Sequence, residues 1–134
     1  MIDDCVLIIY TSLQYVLPHH MEADLFSPAM KKGSVELLLL SLLEDEDHHG
    51  YEIGKLIEAR SEGRLQFRIS SLYPVLCRME ERGWIKGRWV EKEGQRRRRF
   101  YRLTDKGREA LARQKETWDA FTLAVNLVLE PSNV

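Results

Sequence analysis

The chain has 134 residues and a nearly balanced charge, with 20 lysines and arginines against 21 aspartates and glutamates. Its hydrophobic fraction of 44% and charged fraction of 31% are those of a globular protein and exclude a wholly disordered chain. There is no run of about 18 apolar residues, so we expect no membrane-spanning helix. Two cysteines are too few for a disulfide scaffold.

The first 30 residues differ in character from the rest of the chain. The run from Cys5 to Leu17 is apolar, but it follows two aspartates and lacks the positive leader and cleavage pattern of a secretory signal. We interpret this part as an N-terminal extension that is disordered or foreign to the native protein. The predicted parts are therefore an extension over 1–30, a first structured unit over 31–104, a helix over 105–130 and a tail over 131–134.

Residues 31–63 predict two helices. Ser34 can cap the first, and the run from Val35 to Leu43 is apolar almost all round, which indicates a helix buried on more than one side. Gly50 opens the second, in which apolar residues recur at helical spacing until Glu62 and Gly63 end it.

A third helix is predicted with Ser71 as its N-cap, Pro74 in its first turn and Gly83 as its stop. Leu72, Val75, Leu76 and Met79 form the apolar stripe that faces the core. The residues expected toward solvent are Ser70, Tyr73, Pro74, Cys77, Arg78 and Glu81.

A hairpin follows the third helix. Residues 84–90 are rich in aromatic and β-branched side chains, 91–95 contain a glycine turn, and Arg96 begins the returning strand to Leu103. Alternation directs Tyr101 and Leu103 to the core. We expect the arginines near the turn to project beyond it, because a hairpin tip has no core beneath.

Charge is strongly segregated along the chain. Between Arg82 and Arg102, only Glu91 and Glu93 oppose the basic residues. A charge run is often only a solvated surface, but the four consecutive arginines Arg96–Arg99 in a hairpin favour a polyanion-binding face.

Thr104 can cap a last helix that runs to about Leu129. Its apolar residues recur at heptad a and d positions over roughly three heptads, which predicts pairing with a second copy. With a contribution from the first helix, the residues expected at this dimer interface or at a ligand site are Leu38, Leu111, Trp118, Phe121, Val125 and Val128.

Three helices, a hairpin and a long helix define a mainly α fold with a β-hairpin wing (α+β): a winged helix-turn-helix plus a long C-terminal dimerisation helix. From about Lys31 to Leu129 the chain resembles the PadR family of transcriptional regulators, in its short-tailed branch with a single C-terminal helix. The motifs that carry the resemblance are GSVELLLL at 33–40, HGYEI at 49–53, SLYPVLCRME at 71–80 with GWI at 83–85, and FYRLTDKG at 100–107. Phe100 departs from this pattern, because a second tyrosine is common at its position.

In a winged helix, the third helix fits the major groove of DNA and the wing lies along the backbone or in the minor groove. Ser70, Ser71 and Tyr73 would hold a phosphate, and Arg78 would reach a base edge or another phosphate. At the wing tip, we expect DNA contacts from Lys92, Arg96, Arg97, Arg98 and Arg99. Two alternatives stay open: Ser71 only caps the helix, and Tyr73 covers the edge of the core.

The resemblance implies a homodimeric DNA-binding regulator, most often a repressor, that binds double-stranded DNA at an inverted repeat and acts in the cytoplasm. In multidrug-responsive members, a tryptophan that Trp118 matches stacks planar drugs between the subunits, so a small aromatic or hydrophobic effector is a possible partner. The competing interpretation, which we favour, is that Trp118 packs the dimer seam.

Other functions are weaker interpretations. His19–His20 and His48–His49 lack metal-ligand spacing, and His49 is expected to pack or hydrogen-bond at the start of the second helix. Cys77 is expected to be an inert thiol rather than a redox switch. With no phosphate loop, catalytic triad or metal signature, we expect no cofactor and no enzymatic activity. The rival of a different class is a winged-helix module for protein–protein contact alone.

Overall fold

The computed structural model describes residues 26–130, so the interpretation of residues 1–25 and 131–134 lies outside the described part of the chain. The order of predicted elements is confirmed, with a short helix and a short strand in addition. The elements are α1 (Pro28–Lys32), α2 (Val35–Leu42), β1 (His48–His49), α3 (Gly50–Arg60), α4 (Ile69–Glu81), β2 (Ile85–Val90), β3 (Arg98–Leu103) and α5 (Asp105–Leu129). No helix within residues 26–130 is long and apolar enough to cross a membrane.

The start of the described part of the chain differs from the expectation in two details. The boundary predicted at residue 30 falls inside α1, whose first turn is capped by the Ser27 hydroxyl accepting from the Met30 amide at 3.3 Å. Ser34 occupies the N-cap position of α2, but it does not cap with its side chain. Its hydroxyl donates instead to the Lys31 carbonyl at the end of α1, which also accepts from the Ser34 amide.

The predicted start of α4 is wrong by a few residues. Arg68 is its N-cap residue, and Ser71 lies inside the first turn. Pro74 is therefore not at the third position but deeper in the helix, where it cannot donate to the Ser70 carbonyl. The predicted stop at Gly83 is confirmed: Gly83 has φ +77°, and the next amide, that of Trp84, donates back to the Met79 carbonyl at 3.0 Å.

The sheet has three antiparallel strands in the order β1-β3-β2. In the hairpin, Ile85 pairs with Leu103 and Val90 with Arg98, as the predicted wing requires. No sequence pattern predicted β1, in which His48 pairs with Tyr101. This pairing joins the start of α3 directly to the wing.

One core lies between the helices and the inner face of the sheet. Tyr101 and Leu103 are buried, as the alternation predicts, and α2 is buried on more than one side. The largest fully buried side chains of the core are Tyr101, Leu39, Leu40, Ile53, Leu72, Leu76, Met79 and Ile85. The first turns of α5 close the core, with Gly107 packed against the Trp84 carbonyl, while the rest of α5 extends away from it.

Candidate nucleic-acid interface

The exposed face of α4 carries part of the predicted DNA-binding set. Ser71 and Arg78 are exposed, and Ser70 is partly exposed. Since α4 is the last helix before the wing, these side chains occupy the face that a winged helix presents to the major groove. Their proposed role in DNA binding therefore has the exposure that it requires.

Two residues of α4 do not face solvent as expected. Tyr73 is partly buried against the core, and a Cβ atom at Gly50 would lie 2.5 Å from its Cε1. Cys77 is only 6% exposed. The sheet and the start of α3 cover this side of α4, so the helix buries a second stripe, Tyr73, Cys77 and Glu80, beside the apolar one.

Burial determines the chemistry of this second stripe. It raises the pKa of the Tyr73 phenol above its ordinary value of 10.0, and it also raises the pKa of the neighbouring Tyr101 phenol. Tyr73 therefore covers the edge of the core, the alternative that the sequence left open. Its phenol stays protonated at neutral pH.

The wing tip is exposed and basic. The side chains of Lys92, Arg96, Arg97 and Arg98 are all exposed. The Arg97 guanidinium lies 4.3 Å from the centre of the Trp89 ring, a cation–π contact that holds the arginine along the strand. Sequence reasoning did not single out Trp89, which pairs with Arg99 across the hairpin and contacts Arg97 through its ring.

Arg99 does not project beyond the tip as the sequence suggested. Its side chain is only 9% exposed, and its Nη2 donates to Oε1 of Glu80 at 2.6 Å. The inner face of the sheet continues as far as Arg99, so α4 lies beneath this arginine. The Arg99 side chain is therefore largely buried, whereas the other three arginines of the run are exposed.

His49 connects the helix-turn-helix to the wing. Its Nδ1 accepts from the Glu52 amide at 3.3 Å and so caps α3, as the hydrogen-bonding interpretation predicts. Its Nε2 lies 3.1 Å from Nη1 of Arg98. Burial, followed by the positive charge of Arg98, lowers the pKa of His49 below 6.5. Within residues 26–130, no three His, Cys, Asp or Glu side chains are grouped closely enough to hold a metal ion.

The predicted interface residues of α5 divide into two groups. Leu111 is 3% exposed within the single chain and belongs to its core, so its expected place at the surface of a dimer is wrong. The helix is still packed on α2 at that point. Leu38 of α2 is partly buried against the same core. Beyond Ala112, large apolar side chains are exposed, among them Trp118, Phe121, Val125 and Val128.

Trp118 also borders a groove of about 400 Å³ between α1, the end of α3 and α5. The walls are formed by Phe26, Met30, Lys31, Ser34, Ser61, Arg64, Leu65 and Trp118. The lining of the groove is mainly apolar and also includes the Lys31 and Arg64 side chains.

A three-helix core, an exposed α4 face and a basic β-hairpin define the class of winged helix-turn-helix proteins. The family model for PadR-like transcriptional regulators matches residues 39–113, which are more than half of the chain. The chain therefore belongs to the PadR-like family of transcriptional regulators.

Relatives of known structure share the whole fold. A transcriptional regulator from Clostridium thermocellum is 29% identical, with a TM-score of 0.73 over 79% of this chain and 100% of the other. A PadR family transcriptional regulator from Eggerthella lenta is 26% identical, with a TM-score of 0.69 over 78% of this chain and 88% of the other. The transcriptional regulator YqjI of Escherichia coli is 32% identical over 84 residues, which are 63% of this chain but only 39% of that protein.

Proposed function

We propose that this transcriptional regulator is a repressor that binds an inverted-repeat operator as a homodimer. The observation that carries the proposal is the joint exposure of the Ser71 and Arg78 face of α4 and of the cationic wing tip. A helix face with hydroxyl and guanidinium groups can contact base edges and phosphates, and wing arginines release counterions from the backbone. The proposed DNA binding also implies a place in the compartment that holds the DNA, which in bacteria is the cytoplasm.

The apolar part of α5 supports the homodimer. Phe121 is 60% exposed and Val128 is 79% exposed in the single chain. Apolar side chains that continue along a helix beyond its core contacts are typical of a helix that pairs with another. A two-fold dimer would place two α4 helices about 34 Å apart, one turn of DNA, which is why we propose an inverted repeat.

The groove beside Trp118 supports the proposed effector. A planar apolar molecule could stack on the indole ring there, at the point where α5 leaves the core. Such a molecule would bias the angle between two protomers and hence DNA affinity. Quenching of tryptophan emission by planar dyes in the parent chain, but not in Trp118→Phe, is the result expected.

The competing function is a winged-helix module for protein–protein contact. It gives no reason for Lys92 and the arginines of the wing tip to be exposed together, because clustered like charges repel one another unless they face a strongly anionic partner. The DNA-binding proposal accounts for this exposure directly.

The test is DNA binding to the segment upstream of the protein's own gene, measured by fluorescence anisotropy at several salt concentrations. Arg97→Ala with Arg98→Ala is expected to weaken binding to every sequence and to lower the salt slope by roughly one per lost phosphate contact. The control is Arg60→Ala with Arg113→Ala, which removes the same charge from exposed positions on α3 and α5. An unchanged slope in the wing variant would refute its phosphate contacts, and absence of binding in dilute buffer would refute the function.

A further inference from the structure

Glu80 and Arg99 form an ion pair between the last turn of α4 and the wing. Oε1 of Glu80 lies 2.6 Å from Nη2 of Arg99, and both side chains are largely buried, with 23% and 9% exposed. The same oxygen accepts from the Gly87 amide of β2 at 3.0 Å. The Glu80 carboxylate therefore contacts both strands of the hairpin and holds them against α4.

The hairpin is built to let Arg99 reach this carboxylate. Arg99 crosses β2 at Gly87, where a Cβ atom would lie 2.5 Å from its Nε. The Arg99 guanidinium also lies 5.4 Å from the centre of the Trp89 ring. The Arg97 guanidinium lies 4.3 Å from the same ring centre. We refer to Glu80, Gly87, Trp89 and Arg99 as the brace.

Glu80 is unfavourably placed for any role that it would play alone. An acidic side chain in the last turn of a helix opposes the helix dipole. A carboxylate near a DNA-binding surface also repels phosphates. The ion pair with Arg99 offsets both effects, and it gives the two ends of the proposed interface a fixed geometry.

We propose that Glu80 is a positioning residue for DNA binding, which acts through Arg99 to hold the wing at a fixed place relative to α4. The inference rests on the proposed function, since it explains how α4 and the wing tip would meet one duplex together. Arg99 thus has a different role from the exposed arginines of the same run. It orients the wing while Arg96, Arg97 and Arg98 contact the phosphates.

The first experiment measures the DNA affinity of Glu80→Gln, for which charge repulsion and the brace predict changes in opposite directions. By charge alone, Glu80→Gln would strengthen binding, because it removes repulsion of the phosphates. The brace predicts the opposite: binding weakens by about tenfold and the salt slope falls by roughly one to three, as the wing contacts are lost. The matched control is Glu81→Gln, which removes the same charge from the exposed neighbour and is expected to bind as tightly or more tightly. Equal or tighter binding by Glu80→Gln would overturn the inference.

A second variant breaks the brace without changing any charge. Gly87→Ala would push the Arg99 guanidinium off the strand, so we expect it to weaken binding in the same direction as Glu80→Gln. Thermal unfolding of each variant, followed by circular dichroism, identifies the temperature range in which all of them are folded. Wild-type affinity in folded Gly87→Ala would contradict the brace.

A third measurement needs no DNA. Amide hydrogen exchange over residues 88–98 reports whether the wing is held against α4. We expect faster exchange there in Glu80→Gln and Gly87→Ala, and wild-type exchange in Glu81→Gln. Unchanged exchange in the first two variants would overturn the brace. Faster exchange in these variants, together with a wild-type chain that does not bind DNA, would support the brace and refute only the proposed function.

Discussion

Among single residues, three glycines matter because of what lies against them. Gly50 leaves room for Tyr73, and Gly87 leaves room for Arg99. Gly107 lets α5 lie directly on the Trp84 carbonyl. In each case a methyl group would occupy space that another element already fills, so these positions fix how the elements approach each other.

Gly107 provides a residue-scale prediction. We expect Gly107→Ala to lower the free energy of unfolding by about 3 kcal/mol, because the new methyl group would overlap a backbone carbonyl that cannot move without shifting the helix. Urea denaturation would measure the change.

The matched control is another helical glycine, Gly54. Its new Cβ atom would lie 3.4 Å from the Leu72 Cδ1 and 3.8 Å from the Phe67 carbonyl oxygen, so Gly54→Ala is expected to gain up to about 1 kcal/mol from helix propensity. A wild-type urea midpoint for Gly107→Ala would contradict the close packing of α5 on Trp84.

Sequence periodicity was least informative for residues that contact distant parts of the chain. Alternation placed Arg99 on the same side as Tyr101, which is correct, but the sequence could not show that α4 lies beneath it. Glu80 precedes Arg99 by 19 residues, and only the fold brings the two together. Tyr73 is similar, because the space that buries it is created by Gly50 on another helix.

At the scale of elements, α3 and α5 are held at their N-termini by side-chain caps, from His49 and Thr104. The Thr104 hydroxyl accepts from the Gly107 amide at 3.0 Å and also donates to the Gly83 carbonyl at 2.6 Å, so it joins α5 to the end of α4. His49 similarly joins α3 to β3. Ser71, by contrast, caps no helix, so its exposed hydroxyl suits the proposed contact with DNA.

The two hydroxyls make opposite predictions. Ser71→Ala is expected to leave the free energy of unfolding within about 0.5 kcal/mol of wild type, because Arg68 is the N-cap residue. It should weaken DNA binding by about tenfold, since a hydroxyl contact to a charged phosphate is lost.

Thr104→Ala is expected to cost about 1–2 kcal/mol of stability, because it removes a true N-cap. Its DNA affinity should stay at the wild-type value under conditions where it is folded. Chemical denaturation and anisotropy on both variants provide the comparison. Equal loss of stability in the two would contradict the cap assignment.

His49 makes stability depend on pH. Burial and Arg98 lower its pKa in the folded chain, with opposition from Glu52 and smaller lowering effects from His48 and Lys55. Between this lowered pKa and about 6.5, the unfolded chain binds more protons than the folded one, so stability rises with pH there. The contribution is complete above about pH 6.5 and is lost as the pH falls toward the folded pKa.

His49→Asn tests this dependence, since asparagine is a good N-cap residue and does not titrate. We expect the variant to lose less stability than wild type between pH 7.5 and pH 5.5, as measured by urea unfolding at each pH. The carboxylates and His48 are common to both chains and serve as the internal control. Parallel pH profiles would show that His49 contributes nothing.

The sequence predicted most of the elements because their ends are marked by residues with strong local preferences. Gly83 and Thr104 fix the end of α4 and the start of α5 through their own backbone and hydroxyl chemistry. β1 could not be predicted, because two residues are too few for a periodic pattern and its pairing with β3 is a long-range contact. The sequence places the start of α4 too late because a serine is a common N-cap, whereas the first helical hydrogen bonds run from the Ser71 and Leu72 amides to the Arg68 carbonyl, without any side-chain cap.

At the scale of the whole molecule, α5 divides the chain into a packed part and an exposed part. Its first turns complete the core with Ala110 and Leu111, and its remainder exposes Trp118, Phe121 and Val128. The heptad pattern predicted an interface helix but could not separate these two regions, since a buried a position looks the same whether it packs within the chain or against a partner.

Phe121 is the position at which to test the homodimer. Phe121→Glu is expected to shift the mass in light scattering from twice the 15.7 kDa chain to a single chain, because a charge would be buried in an apolar seam. Asn126→Glu places the same charge outside the a and d positions of α5 and should remain dimeric. A parent chain that is already monomeric would refute the proposed dimer.

The pairing of β1 with β3 has a consequence for how binding sites could diversify. The wing pairs with the start of α3 and is hydrogen-bonded to α4, so the parts that we propose to contact DNA are joined to one another. The separation of these parts between two protomers would then be set by α5, far from any nucleotide. We therefore expect changes along that helix to alter the preferred number of base pairs between half-sites while leaving the preferred half-site itself unaltered.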